Sequence, residues 1–372
     1  MTQSWQHCKN ILIIRADNMG DLIMSTPAIR AIKETFSSKI TVLTSSMAAG
    51  IVPSIPEIDD VIVFDLPWIK SNEAIASEEI FALVQQLKEK SFDAAVIFTV
   101  FSQNPLPAAM IAYMANIPLR LAYCRENPYA LLTNWIPDKE PYTFIQHQVE
   151  RDLQLVKSID ATTNDINLGL AVPEAINEVV ENKLKYGGIN PSKPWLIFHA
   201  GVSEKKREYP IEKWVEVAKN MTADNGFQIL FTGSASEKQT CNELARLTGE
   251  NAFCLAGIFS LQEFIALVKQ ARLVVSVNTG TVHIAAAVGT PVVVLYAQTN
   301  PQHKPWNVPL RVLEFGVDAD SRSRNEVIQY LYKDVYKDSL PIPCADEIVA
   351  AITQLLEETS LEAHSSLNFK AI

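Results

Sequence analysis

The sequence contains none of the glycine-rich phosphate loops that usually open a nucleotide-binding fold. G-x-G-x-x-G occurs nowhere in its 372 residues. The first apolar run, Ile11–Ile14, leads instead into Ala16-Asp17-Asn18-Met19-Gly20-Asp21, which has one glycine and an acid where a pyrophosphate would need to approach. G-x-x-x-x-G-K-[ST] is also missing, and with it a Walker-type ATPase. A G-x-S-x-G elbow is missing, which disfavours an α/β-hydrolase. The five cysteines (Cys8, Cys124, Cys241, Cys254, Cys344) are scattered, with no C-x-x-C pair, so neither a zinc site nor a disulfide framework is expected. A reducing, cytoplasmic setting fits that usage. Long apolar runs are missing as well. The longest, Ile284–Ala297, is interrupted by Gly289 and Pro291 and falls short of a membrane span, and Ile11–Ile14 is too short for a secretory signal. Peripheral contact with the inner face of the cytoplasmic membrane is compatible with both. The formal net charge of −10 argues against nonspecific nucleic-acid binding but leaves room for a local basic site.

The length exceeds one typical domain, and 48% hydrophobic residues are ample for two cores. Short apolar runs without alternation recur at Ile11–Ile14, Ile40–Leu43, Val61–Phe64, Ala94–Phe98, Leu119–Tyr123, Trp195–Phe198, Gln228–Phe231, Leu273–Val277 and Val292–Tyr296. Helical spacing separates most of them, as in Ile29, Ile32 and Phe36, or Ile80, Leu83, Val84 and Leu87. Unalternating Val, Leu and Ile mark parallel strands buried on both faces. The predicted class is α/β, with two Rossmann-like doubly wound parallel-sheet domains and a ligand cleft between them. The domains are expected at 1–165 and 166–345. An amphipathic helix, Asp346–Glu358, and a polar tail from Glu362 should follow.

The stretch 276–296 reads as strand, turn, helix, turn, strand. Thr279 is placed to cap a small-residue helix that Gly289 and Pro291 stop. A helix start at the carboxyl end of a buried strand presents N–H groups and a positive dipole end to an anion, and His283 lies about one turn inside. Asp21, also at a helix start, is a candidate general base. Sugar transfer from a nucleotide donor needs a carboxylate to take the acceptor's proton and positive potential for the departing diphosphate. Without further context, Asp21 is equally an acid that complements a helix dipole.

Asp17-Asn18-Met19-Gly20-Asp21 with Thr26-Pro27-Ala28, Val277-Asn278-Thr279-Gly280-Thr281-Val282-His283, and Gly289-Thr290-Pro291 together resemble glycosyltransferase family 9, the ADP-heptose:lipopolysaccharide heptosyltransferases and their relatives. The resemblance runs with gaps from about Ile11 to Glu358. It implies a GT-B fold with the acceptor on the first domain, the nucleotide-sugar on the second, and the last helix packed back on the first. It also implies inverting transfer without a metal or cofactor. The donor would be ADP-heptose or a similar nucleotide-sugar, the acceptor a lipid-linked or other cell-surface glycan, and no nucleic acid would take part. The family's catalytic acid falls on Asp21, in a loop with Asn18, Met19 and Gly20. The diphosphate-binding residues fall on Thr279, Gly280 and His283, a nucleoside-contacting acid on Glu237, and an apolar residue near the base on Phe259.

Two positions depart from the family pattern. Asn278 stands where a sugar-touching Asp can occur. In the loop with Ser203, Arg207 occupies the usual lysine place with Lys206 beside it, and either could hold phosphate. Other features carry less. Asp318-Ala319-Asp320 has the D-x-D form of a metal site. His199, His303, Lys304 and Trp306 follow strands of the second domain, and Trp68, Tyr113, Tyr123 and Tyr129 could stack on an acceptor sugar. Two other readings stay open. A nucleotide-sugar 2-epimerase would convert donor alone, and a silent binding protein would hold donor without turnover.

Overall fold

A computed structural model describes residues 4–69, 75–223 and 226–369. The chain forms two compact units, Met1–Ala171 with Arg324–Val335, and Val172–Ser323 with Tyr336–Ile372. The first unit holds β1 (Asn10–Ile14), β2 (Lys39–Thr44), β3 (Asp60–Val63), β4 (Ala94–Ile97), β5 (Leu119–Cys124) and β6 (Asn134–Pro137). The second holds β7 (Trp195–His199), β8 (Gln228–Thr232), β9 (Ala252–Cys254), β10 (Leu273–Val277), β11 (Val292–Ala297) and β12 (Leu310–Phe315). Each set makes a six-stranded sheet, in orders β3-β2-β1-β4-β5-β6 and β12-β11-β10-β7-β8-β9. The pairings are parallel throughout. The sheets are those expected of the unalternating apolar runs: Ile11, Leu12 and Ile13 in β1, and Val274 and Val275 in β10, are wholly buried.

Three differences from the sequence reading have physical causes. A helical turn, Met19–Met24, begins inside the expected loop, with Asn18 as its cap and Asp21 in its first turn. β12 was hidden because its charged residues look like a loosened pattern. Arg311 pairs with Glu358 at 2.5 Å and Glu314 with Lys304 at 2.7 Å, so the strand keeps its charges at a sheet edge. The last helix, Ala345–Phe369, extends well past Glu358 and does not belong with the first unit. It packs on the helix Ile211–Ala223 and on β11 and β12, burying Ile348, Ile352 and Leu355. The segment that does return to the first unit is 324–335, where Tyr330 sets its ring edge on Tyr142 at 5.0 Å. Of the expected polar tail, residues 370–372 lie outside the described residues. The polar segment 160–168, which spans the expected domain boundary, is tied to the first unit: Arg30 donates to the carbonyls of Asp165 and Asn167 at 2.8 Å each.

Candidate active site

In each sheet the strand order reverses once, between β1 and β4 and between β7 and β10. Loops leaving the carboxyl ends of such a pair diverge and open a crevice for ligand. In the first unit these loops are 15–21 and 98–104; in the second they are 199–207 and 278–283.

The first unit's loops converge on a buried guanidinium. Arg15 is fully buried and reaches Asp21 Oδ1 at 3.3 Å and Asp17 Oδ2 at 3.5 Å. The backbone N–H of Asn18 donates to the other Asp21 oxygen at 3.2 Å, so the carboxylate is gripped from two sides. Gln103 donates to Asp17. The helix Gln148–Lys157 adds a second layer: Asp152 accepts from Ser25 Oγ at 2.7 Å and from Gln148 Nε2 at 2.8 Å. Its neighbour Arg151 is paired with Asp138 at 2.9 Å and Glu140 at 2.8 Å. Arg15, Arg151 and Asp152 were not marked as site residues by their sequence context, and Asp17 stood in the loop motif without a role of its own. The signal was there in part, since Gln148, Arg151 and Asp152 share a helix face with Leu155.

Burial pushes the Asp17 and Asp152 carboxyls up, each to about 6, with Arg15 pulling both back down. Asp21 adds to the rise at Asp17, while Gln103 opposes it; at Asp152 the Ser25 bond and Arg151 also oppose the rise. In the unfolded chain both groups titrate near about 3.9. From about pH 4 to about pH 6 the folded chain therefore keeps protons that the unfolded chain has released. Stability should fall with rising pH across that window and level off above it. Asp152→Asn should flatten part of this fall, seen as urea midpoints that change less from pH 4 to pH 7 than those of the parent. Equal declines in the two proteins would remove Asp152 from the account.

In the second unit the helix Gly280–Val288 starts directly after β10, with Thr279 at its cap position and buried His283 about one turn in. Thr279 Oγ1 lies 3.4 Å from Ser276 Oγ and makes no cap hydrogen bond. Gly289 ends the helix in the left-handed conformation at φ 78°. The basic loop is brought to this helix start: Arg207 Nη1 donates to the Asn278 carbonyl at 2.9 Å, and Arg207 Nη2 pairs with Glu204 at 3.1 Å. Lys206 shares that carboxylate at 3.3 Å. Ser203 lies exposed in the same loop. Arg207 is thus anchored at Asn278, the residue before Thr279 and Gly280. The Asn278 side chain bridges two strand exits. Its Oδ1 accepts from Ala297 N at 3.2 Å, and its Nδ2 donates to Thr299 Oγ1 at 3.0 Å and towards Ala297 O at 3.4 Å. Contact with a sugar would compete with all three.

Glu237 is seated by two turns. Ser234 N and Oγ donate to its Oε2 at 2.6 and 2.8 Å, while its Oε1 lies over Gly201. A Cβ on Gly201 would fall 2.1 Å from that oxygen. His199 lies next to this acid, its Nδ1 3.0 Å from Thr232 Oγ1, and burial holds its pKa below the ordinary value despite the opposing charge of Glu237. Phe259 is half-buried beneath Lys183, whose Nζ is 5.5 Å from the ring centroid. Its loop joins the Glu237 turn through Gly257 N to Gly233 O at 3.0 Å. Gly201→Ala should therefore unseat Glu237 and weaken nucleotide binding about tenfold, roughly 1.4 kcal/mol, without unfolding the unit. Titration with ADP by calorimetry checks this, and unchanged affinity would free Glu237 from a nucleoside role.

The remaining residues fall elsewhere. Asp318 and Asp320 lie exposed around a 3-10 turn, Ala319–Ser321. Lys304 pairs with Glu314, and His303 Nε2 lies 3.1 Å from the Asn300 amide. Tyr113 lies beneath Arg120 and Tyr123 beneath Arg151, while Tyr129 is largely exposed. Among the described residues no helix is long and apolar enough to cross a membrane.

Residues 80–327 match the family model described as glycosyltransferase family 9 (heptosyltransferase). The chain belongs to glycosyltransferase family 9. Lipopolysaccharide heptosyltransferase 2 of Escherichia coli K12 is 27% identical over 79% of this chain and 84% of its own length. In fold, the chain is similar to a family 9 glycosyltransferase from Veillonella parvula, with a TM-score of 0.77 at 18% identity over 96% and 99% of the two chains. It is also similar to E. coli ADP-heptose LPS heptosyltransferase II, with a TM-score of 0.71 at 21% identity over 94% and 99%. The family 9 match begins after Asp21, so that residue's place rests on its own loop motif and on the Arg15 and Asn18 contacts.

Proposed function

We propose that this family 9 glycosyltransferase moves heptose, or a related sugar, from ADP-heptose to a lipopolysaccharide acceptor by an inverting, metal-independent displacement. The observation that carries the proposal is Asp21, held at the carboxyl end of β1 by Arg15 and the Asn18 amide in a family 9 chain. Its carboxylate takes the proton of the acceptor hydroxyl as that oxygen attacks the anomeric carbon. The bond from that carbon to the diphosphate oxygen breaks, and its electron pair leaves with the nucleoside diphosphate. Arg207, Lys206 and the N–H groups at the start of Gly280–Val288 meet the departing charge, the role a metal would otherwise fill. Arg207 is the main anchor in this reading, because it is already fixed to the Asn278 carbonyl and has a planar fork to offer phosphate. The naming of E. coli relatives for ADP-heptose and LPS supports donor and acceptor class. Catalysis on the cytoplasmic side, with peripheral contact at the inner membrane face, belongs to the same proposal.

The test is transfer with purified protein, ADP-heptose and a heptose-deficient core acceptor, in EDTA. Release of ADP, an acceptor one heptose heavier, and an anomeric configuration opposite to the donor's are expected. Conversion of donor without acceptor would make it an epimerase, and donor binding without turnover on any acceptor would make it a binding protein.

A further inference from the structure

In the second unit the exits of β7 and β8 form a notch, and the Glu237 side chain lies in it. Gly201 closes one side and Gly233 the other: a Cβ on either would meet Glu237, at 2.1 Å and 3.0 Å. The carboxylate is only half-satisfied. Its Oε2 accepts from Ser234 N and Oγ, while among the described residues no hydrogen bond reaches Oε1. An ionised carboxylate only accepts, so Oε1 suits a neutral O–H or N–H donor. On a nucleoside diphosphate the ribose hydroxyls are such donors, and the charged diphosphate is not.

How well Oε1 meets such a donor depends on the width of the notch, and one cross-strand contact sets that width. His199 and Thr232 are the last paired residues of β7 and β8, opposite each other in register. His199 Nδ1 lies 3.0 Å from Thr232 Oγ1. Gly201 follows His199 by two residues and Gly233 follows Thr232 by one, so the contact fixes both walls at once. The Phe264 ring packs on the imidazole, with centroids 6.1 Å apart. Phe264 belongs to the helix Leu261–Gln270, which follows the Phe259 loop. His199 therefore stands where three segments around Glu237 meet. Burial keeps its pKa below the ordinary value, so at neutral pH the ring is uncharged and braces Glu237 without neutralising it.

We propose that His199, together with Thr232, is a positioning residue for the nucleotide's ribose: their side-chain contact holds Glu237 Oε1 where it accepts from a ribose hydroxyl. This role rests on the transferase reading above. It adds two residues that act through Glu237 and not on the reacting atoms.

Calorimetric titration of the parent, His199→Phe, His199→Asn and Thr232→Val with ADP and with 2′,3′-dideoxy-ADP tests it. The parent should prefer ADP by about tenfold or more, the worth of a hydrogen bond to a charged group. His199→Phe and Thr232→Val should lose most of that preference, by weakening ADP and leaving the dideoxy nucleotide where it was. His199→Asn, whose amide can still meet Thr232 Oγ1, should keep it. A merely structural role would weaken both nucleotides in step and would not be rescued by Asn. With ADP-heptose, His199→Phe and Thr232→Val should raise the donor KM while kcat falls far less. A parent without the preference, a preference retained in His199→Phe or Thr232→Val, losses in step for both nucleotides, or His199→Asn as impaired as His199→Phe each overturns the positioning role. If transfer proceeds alongside any of these, that role fails alone. If the nucleotide pattern holds and no acceptor is glycosylated, the transferase reading fails alone.

Discussion

Asp21→Asn should cut turnover by roughly 10²- to 10⁴-fold while leaving donor affinity where it is. The substitution preserves shape and can still accept from the Asn18 N–H, now at 3.2 Å, but it cannot take the acceptor proton. It also removes the negative partner of Arg15 Nη2, 3.3 Å away, though Asp17 stays beside the same guanidinium. The fold should therefore survive the change. Single-turnover transfer, with donor binding measured in parallel by calorimetry, separates the two effects. Turnover within a factor of a few of the parent would end the assignment of Asp21 as base. Equal losses of turnover and donor affinity would point to a structural role.

Arg15→Met should be the most destabilising single substitution in the first unit outside its apolar core. The guanidinium is wholly buried, with Asp17 at 3.5 Å, Asp21 at 3.3 Å and the field of Asp152 around it, and together they raise its pKa against the lowering effect of burial. A methionine fills much the same volume but leaves the carboxylates without their cation. Breaking a buried pair in this way costs about 3–5 kcal/mol, a large share of a domain's stability. The sign of its pH dependence follows. Without Arg15 the Asp17 and Asp152 carboxyls, already raised to about 6, rise further, so the folded variant holds protons over a wider window. Its deficit should be smallest near pH 4, where those groups are protonated in the folded parent and the folded variant alike, and should grow towards pH 7. Urea unfolding at both pH values tests this. Arg15→Lys should lie between parent and Met, because it keeps a charge but not the fork that spans two acids. A deficit in Arg15→Met independent of pH would mean lost packing, not lost charge.

The two sheets were legible because both faces of a parallel strand are buried, and this leaves a local mark: Ile11–Ile14 and Val292–Leu295 admit no polar alternation. β12 escaped because an edge strand is left partly exposed and carries charges, here Arg311 and Glu314, that break the apolar run. The C-terminal helix showed its apolar stripe in the sequence but not its partner. Which surface covers Ile348, Ile352 and Leu355 depends on where β12 ends the second sheet.

By itself, the sequence determined the α/β class and the doubly wound order, and it singled out the two loops, Asn18–Asp21 and Asn278–His283, on which the proposed chemistry rests. Spacing, capping and burial periodicity are properties of neighbours along the chain. Only the tertiary structure decided which charges meet. It set Arg15 between Asp17 and Asp21, brought Asp152 up to Ser25 from far along the chain, laid Arg207 on the Asn278 carbonyl, and used the Asn278 amide to join β10 to β11. A buried charge is stable only where a partner lies within a few ångströms, and that distance depends on how separate elements pack, which no local pattern records.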